Sequence, residues 1–141
     1  MNAPLYTTEI LRLAASLPTP RQLDRVDGVS EQRSPTCGST LRLEVQLDER
    51  GRVEVVSQEV HACAFGQASA SLLAANAAGR SSEQLAEALT DLESWLSGSR
   101  DDPGSWPGLD ALAPARSRRS RHGAILLPFR ALAAAMTNVR G

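Results

Sequence analysis

The order of hydrophobic periods in this chain predicts an α+β fold, a small antiparallel sheet of about three strands packed against several helices. Three observations carry that prediction. Leu41–Leu47 alternates apolar and polar residues strictly, the signature of a half-buried strand. A β-branched run, Val53–Val60, follows it after the turn Asp48-Glu49-Arg50-Gly51, so the two runs form a hairpin. From Ala64 the period becomes helical, and it is helical again in two later segments.

The elements follow in order. Leu5–Ala15 reads as a short helix with Ile10, Leu13 and Ala14 on one face and Tyr6 a turn before them; Pro18 and Pro20 end it. The polar passage 21–33 holds a short strand near Val29–Arg33. In the hairpin turn Gly51 supplies a positive φ. Ala64–Ala78 is rich in Ala and Ser and contains no Pro, which predicts a helix able to approach the sheet closely, with Gly79 as its C-terminal cap. Ser81-Ser82-Glu83-Gln84 reads as a capping box opening a helix that aligns Leu85, Leu89, Leu92 and Leu96. Residues 97–108 are rich in Pro, Gly and Asp and form a loop. The last helix starts near Ser117–Arg121 and runs toward Met136, with Pro128 as a first-turn residue or a kink. Trp95 is expected as a core anchor and Trp106 as a loop plug.

At 141 residues and 42% hydrophobic content, the chain is one domain, 1–141, with enough apolar material for a core. Aromatics are only 4%, so Leu, Val, Ile and Ala must fill that core. A net charge of −1 gives no global attraction to nucleic acid or to a membrane surface. All fifteen basic residues are arginine, which excludes lysine Schiff-base chemistry; genome base composition accounts for the bias equally well. No apolar run reaches the ~20 residues that span a bilayer, and Glu9 and Arg12 interrupt the N-terminal apolar pattern that an export signal would need. The expected compartment is therefore the cytoplasm, where thiols stay reduced.

Chemistry concentrates on two thiols. Cys37 lies just before the first hairpin strand and Cys63 just after the second. An antiparallel pair returns the chain to its starting end, so the two become spatial neighbours despite 25 intervening residues. Cys63 also precedes a helix, whose positive N-terminal end favours the thiolate that binds metal or attacks sulfur. Two buried apolar thiols are the plain alternative. A disulfide is geometrically conceivable, but a reduced cytosolic pair is more often metal-binding or catalytic.

These residues carry a family resemblance. Pro35-Thr36-Cys37-Gly38, the hairpin turning at Asp48–Val53, Ala62-Cys63-Ala64, Ala68-Ser69-Ala70-Ser71 and Leu127-Pro128-Phe129-Arg130-Ala131-Leu132 together resemble the NifU/IscU/SufU-type iron–sulfur cluster scaffold domain. The resemblance implies a non-enzymatic iron–sulfur cluster assembly scaffold. It would bind iron or a labile [2Fe–2S] cluster, or zinc, and exchange it with a cysteine desulfurase and cluster-recipient proteins. It also implies three cysteine ligands and an aspartate. Cys37 and Cys63 match the first two cysteines; Ser39 stands in the aspartate position and Gly123 in that of the third cysteine. The pattern is thus degenerate at two of its four ligands.

His122, next to Gly123, is the candidate third ligand, giving a Cys37/Cys63/His122 metal set with an open fourth position. His61 is weaker; strand alternation, if regular that far, puts it on the side of Cys63. Ser39 is a poor soft-metal ligand and suits a backbone turn. The cluster Arg116-Ser117-Arg118-Arg119-Ser120-Arg121 is either a solvated helix start or a partner contact, and it lacks the aromatic interleaving of a nucleic-acid site. No P-loop, dinucleotide glycine pattern or acyl-transfer motif is present. Two readings besides metal binding follow from the broken pattern: a non-ligating interaction or regulatory relative, and a metal-free persulfide acceptor at Cys63.

Overall fold

The computed structural model describes residues 6–35 and 38–138. Along the chain lie α1 (Thr8–Ala15), β1 (Gly28–Arg33), β2 (Thr40–Leu47), β3 (Val53–His61), α2 (Ala64–Asn76), α3 (Ser82–Ser97), a 3-10 helix (Leu109–Ala115) and α4 (Arg119–Thr137). The three strands form one antiparallel sheet in the order β1-β2-β3. This is the α+β architecture expected from the periods, and the hairpin register pairs Thr40 with His61 and Val45 with Val56.

One face of the sheet meets the helices. Leu41, Leu43 and Val45 of β2 are buried there against Phe65 and Leu73 of α2 and Ile125, Phe129 and Leu132 of α4. Full burial of each such side chain stabilises by about 1.5–3 kcal/mol. The other face is polar: Arg42 bridges Glu31 and Glu44 at 2.9 and 3.0 Å. Helix α2 is buried on almost every side, including Gly66, Ser69 and Ser71, which is why its sequence shows little amphipathic contrast. Its small side chains let α4 come close. A Cβ at Gly66 would stand 2.6 Å from Ala62 Cβ and 3.3 Å from both the Cβ and the carbonyl oxygen of Ala124.

Several boundaries differ from the sequence expectation. α1 begins at Thr8 because the Thr7 hydroxyl accepts the Ile10 N–H. Gly79 does not cap α2. The cap is Ala77, and Gly79, at φ +86°, turns the chain so that its N–H reaches the Val53 carbonyl. A 3-10 helix occupies residues between the loop and the last helix, where no element was expected. Pro128 is the tenth residue of α4, inside the helix rather than in its first turn. Proline has no N–H for the Ala124 carbonyl; Gly66 faces that carbonyl, and the Ser69 hydroxyl donates to the next one, Ile125, at 2.6 Å.

Both tryptophans fill their expected roles. Trp95 is buried in the core. Trp106 plugs the loop: its indole N–H donates to the Leu72 carbonyl, its ring meets Phe129 edge-on, and Arg80 lies over it. The capping box also forms in both directions between Ser81 and Gln84.

Candidate functional site at the Cys63 end of the sheet

Cys63 is the N-cap of α2, immediately after β3 ends at His61 and Ala62 breaks the strand. Its thiol is free and half-buried, packed on the edge of the hydrophobic core, and it makes no capping hydrogen bond. A residue that is not Ser, Thr, Asp or Asn leaves the first-turn N–H groups without a side-chain acceptor. Those groups and the helix dipole favour negative charge at this point.

The connection between β1 and β2 closes at the same end. The Ser34 N–H donates to the Ser39 carbonyl at 2.8 Å and the Gly38 N–H to the Ser34 carbonyl at 3.0 Å. Ser34 and Ser39 are both buried, and the Ser39 carbonyl accepts the N–H that closes the backbone turn. Cys37, expected in the site, lies outside the described residues. Its described neighbours Gly38 and Ser39 lead directly into Thr40, which pairs with His61 two residues before Cys63.

The start of α4 forms the third side. Gly66 meets Ala124, Ser69 meets Ile125, and Leu72 and Phe129 share Trp106. Successive turns of α2 therefore meet successive turns of α4. The two helices run in the same direction, and Gly66 in the first turn of α2 stands against Ala124, the residue after Gly123, in the second turn of α4.

The histidines do not converge on Cys63. His61 is exposed on the polar face of the sheet, in a groove with Glu31, Arg33, Arg42 and Glu59, whereas Cys63 packs on the helical side. The expectation that alternation keeps them together fails because the strand stops at His61. His122 is two residues, about 200° of helix, from Ala124. Its Nε2–H donates to the carbonyls of Ala115 and Arg116 at 2.9 and 3.0 Å, and its ring lines a hollow with Leu96, Ser97 and Arg119 at the end of α3. Among the described residues no three His, Cys, Asp or Glu side chains gather to hold a metal, so Cys63, His61 and His122 are not a set.

Two features of the site were missed in the sequence. Arg116, read only as part of a charge cluster, donates to the carbonyls of Trp95 and Arg100 and stacks on the Trp95 ring, so it anchors the segment before α4 to the end of α3. Its signal was the tryptophan one helix earlier. The Gly66/Ser69 contact with α4 was legible only as small-residue content. No helix among the described residues is long and apolar enough to cross a membrane.

Similar proteins bear on this arrangement. A solved NifU-like protein (N-terminal) from Brucella abortus superposes with a TM-score of 0.87 at 30% identity, covering 95% of this chain and 93% of that one. A putative iron–sulfur cluster assembly scaffold protein for the SUF system from Fervidobacterium islandicum AW-1 shares the fold at TM-score 0.84 and 20% identity, over 94% of this chain and 96% of that one. No curated protein matches the chain. The family model described as the NifU-like N terminal domain matches residues 6–111, which include both cysteines and stop before α4. The chain belongs to the NifU-like N-terminal domain family.

Proposed function

We propose that this protein is an iron–sulfur cluster assembly scaffold that holds iron or a labile [2Fe–2S] cluster as cargo through Cys37 and Cys63 and passes it to partner proteins. The observation that carries the reading is the position of Cys63. A half-exposed thiol occupies an N-cap where a hydroxyl or carboxylate would stabilise the helix, at the sheet end where Ser34–Ser39 closes. Family membership supplies the cargo class. The soft thiolates fit iron or zinc; Ser39 and Gly123 add no soft donor. The remaining coordination positions then fall to donors from outside the chain, such as a small thiol or a partner's side chain. That makes the cargo weakly held and easily released. Cysteine desulfurase and cluster-recipient proteins are the partners, the cytoplasm is the compartment, and the role is binding and transfer rather than catalysis.

A Cys37/Cys63/His122 set is the less favoured version. The Nε2–H bonds leave only Nδ1 of His122 as a ligand, and reaching Cys63 would require the first turn of α4 to rotate or unwind. A second reading, persulfide acceptance, is favoured by the free and accessible thiol. The Cys63 thiolate would attack the outer sulfur of a donor persulfide. A new S–S bond forms at Cys63, the donor's S–S bond breaks, and the donor leaves as a thiolate. A relative that ligates nothing and acts through contacts alone is the remaining possibility.

Anaerobic reconstitution with iron and sulfide, with and without added thiol, tests the first reading through visible absorption and metal analysis. Wild type should take up iron, Cys37→Ala and Cys63→Ala should lose it, and His122→Ala should keep it. No uptake by wild type under either condition overturns cluster binding. Mass spectrometry after incubation with a desulfurase and cysteine reads the persulfide at Cys63 separately.

A further inference from the structure

One residue of α2 holds the backbone on both sides of Cys63. The sheet ends at His61, which pairs with Thr40, so the Ala62 carbonyl lies past the ladder. It also lies one residue before the first helical bond, in which the Gln67 N–H donates to the Cys63 carbonyl at 2.9 Å. A half-buried carbonyl that neither sheet nor helix serves needs a donor from elsewhere. Gln67 supplies it: its Nε2–H donates to the Ala62 carbonyl at 2.9 Å. Among the described residues no other group donates to that carbonyl.

The two carbonyls belong to the two peptide planes that meet at the Cys63 Cα. A peptide unit is rigid, so pinning one carbonyl in each plane pins φ and ψ of Cys63, which stand at −68° and 174°. With the backbone fixed, the Cα–Cβ bond points one way and few rotamers remain for Sγ. The Cys63 side chain itself adds no hydrogen bond to this arrangement. At α1 and α3 the restraint comes from the N-cap residue, where the hydroxyls of Thr7 and Ser81 accept N–H groups of Ile10 and Gln84. At α2 a thiol occupies that position, and the restraint comes from one turn later. Gln67 lies four residues after Cys63, on the same side of the helix, and helical side chains lean toward the N-terminus, which returns its amide to the junction.

We propose that Gln67 is the positioning residue of Cys63: through these two bonds it holds the thiol in the direction in which it meets iron, a cluster or persulfide sulfur. The restraint follows from the geometry alone; its value to the cargo rests on the reading that Cys63 is a ligand or sulfur acceptor. The amide is specific to the task. Glutamate would set an acceptor against an acceptor, and methionine of similar length has no donor.

The test is 15N relaxation at the Cys63 amide of the full-length, reduced, metal-free protein. Wild type should show an order parameter of about 0.85, the rigid-backbone value, and Gln67→Met and Gln67→Glu should lower it toward about 0.6. Gln67→Lys restores a donor and should recover the order. Ser81→Ala removes a helix cap at the far end and should leave Cys63 unchanged, which separates loss of the clamp from general loosening of the fold. Anaerobic iron titration of the same proteins should show affinity falling roughly tenfold or more for the two variants without a donor, and a value near wild type for Gln67→Lys. Unchanged order at Cys63 in both donorless variants overturns the proposal, as does a drop that Ser81→Ala matches. A loosened Cys63 that binds iron as tightly as wild type overturns it too. Wild type that takes up no iron overturns the cluster reading alone, because the relaxation measurements contain no metal and still decide the role of Gln67.

Discussion

The two ends of the sheet are finished in opposite ways. At the far end, side chains satisfy several loose backbone groups. Asp27 accepts the Leu47 N–H at 2.7 Å while Arg25 grips that carboxylate, Asp48 accepts the N–H groups of Arg50 and Arg52, and Ser81 with Gln84 caps α3. Val53 joins that end to the α2–α3 turn through Gly79 and Arg80. At the Cys63 end, α2 and α4 start on Cys63 and Arg118, and neither side chain caps its helix. The contrast is not a property of that whole end, because Thr7 caps α1 close by, where Tyr6 packs on Phe65. It belongs to the starts of α2, at the thiol itself, and of α4. Local rules hold where the chain has only to fold and lapse where a thiol and an arginine occupy the N-cap positions that Ser or Asp would stabilise.

If close packing rather than capping holds those two starts together, overfilling the contact is the strongest way to break it. Gly66→Val places a branched side chain against Ala62 and Ala124, whose contacting atoms are a Cβ or backbone and cannot swing aside. The expected loss is about 2–3 kcal/mol, the upper part of the overpacking range, read as a drop in urea midpoint. A loss below about 0.5 kcal/mol would mean that the helices have room to separate and that the site is not braced here.

At the far end the matching test is electrostatic. The Arg25 guanidinium first, and then the Leu47 N–H, hold the Asp27 carboxyl below its usual range. A depressed carboxylate contributes stability that is complete above its unfolded value, about 4, and lost as pH falls through the lower folded one. Asp27→Asn should cost about 1.5 kcal/mol at pH 7, the scale of a hydrogen bond to a charged group. Urea midpoints measured from pH 7 to 2.5 should converge for wild type and variant at the acid end. A difference that stays constant across that range would assign the effect to packing instead.

Much of this contrast was legible in the sequence, for physical reasons that differ by residue. The hairpin and the capping box were readable because their signals are local: alternation along Leu41–Leu47, and Ser81 three residues before Gln84. What failed depended on phase or on a partner far away. The face of Cys63 relative to His61 turns on where β3 stops. The direction of His122 turns on the phase of α4, which its contacts with α2 set. Pro128 sits inside a helix because Gly66 and Ser69, about sixty residues earlier, face the carbonyls of its preceding turn. The loss of the family's aspartate and third cysteine at Ser39 and Gly123 was readable directly, because identity at a position needs no geometry.

The finest test exchanges the two kinds of helix start. Ser81→Ala should cost about 1 kcal/mol, since it removes the acceptor for the Gln84 N–H. Arg118→Asp should do the reverse at α4, adding a capping carboxylate and relieving one charge at the positive helix end, for a gain of about 1 kcal/mol. Cys63→Ser should be neutral or gain up to about 1 kcal/mol, because the new cap is offset by the lost contact of sulfur with the core. Metal-free protein and urea midpoints read all three. Opposite signs for Ser81→Ala and Arg118→Asp would show that the α4 start gives up available stability. If Cys63→Ser also gains stability while iron uptake disappears, the thiol is retained at a cost to the fold, as a functional residue would be. If all three variants lose stability alike, Cys63 and Arg118 suit their helix starts as well as Ser81 does, and the two ends do not differ in the way their caps suggest.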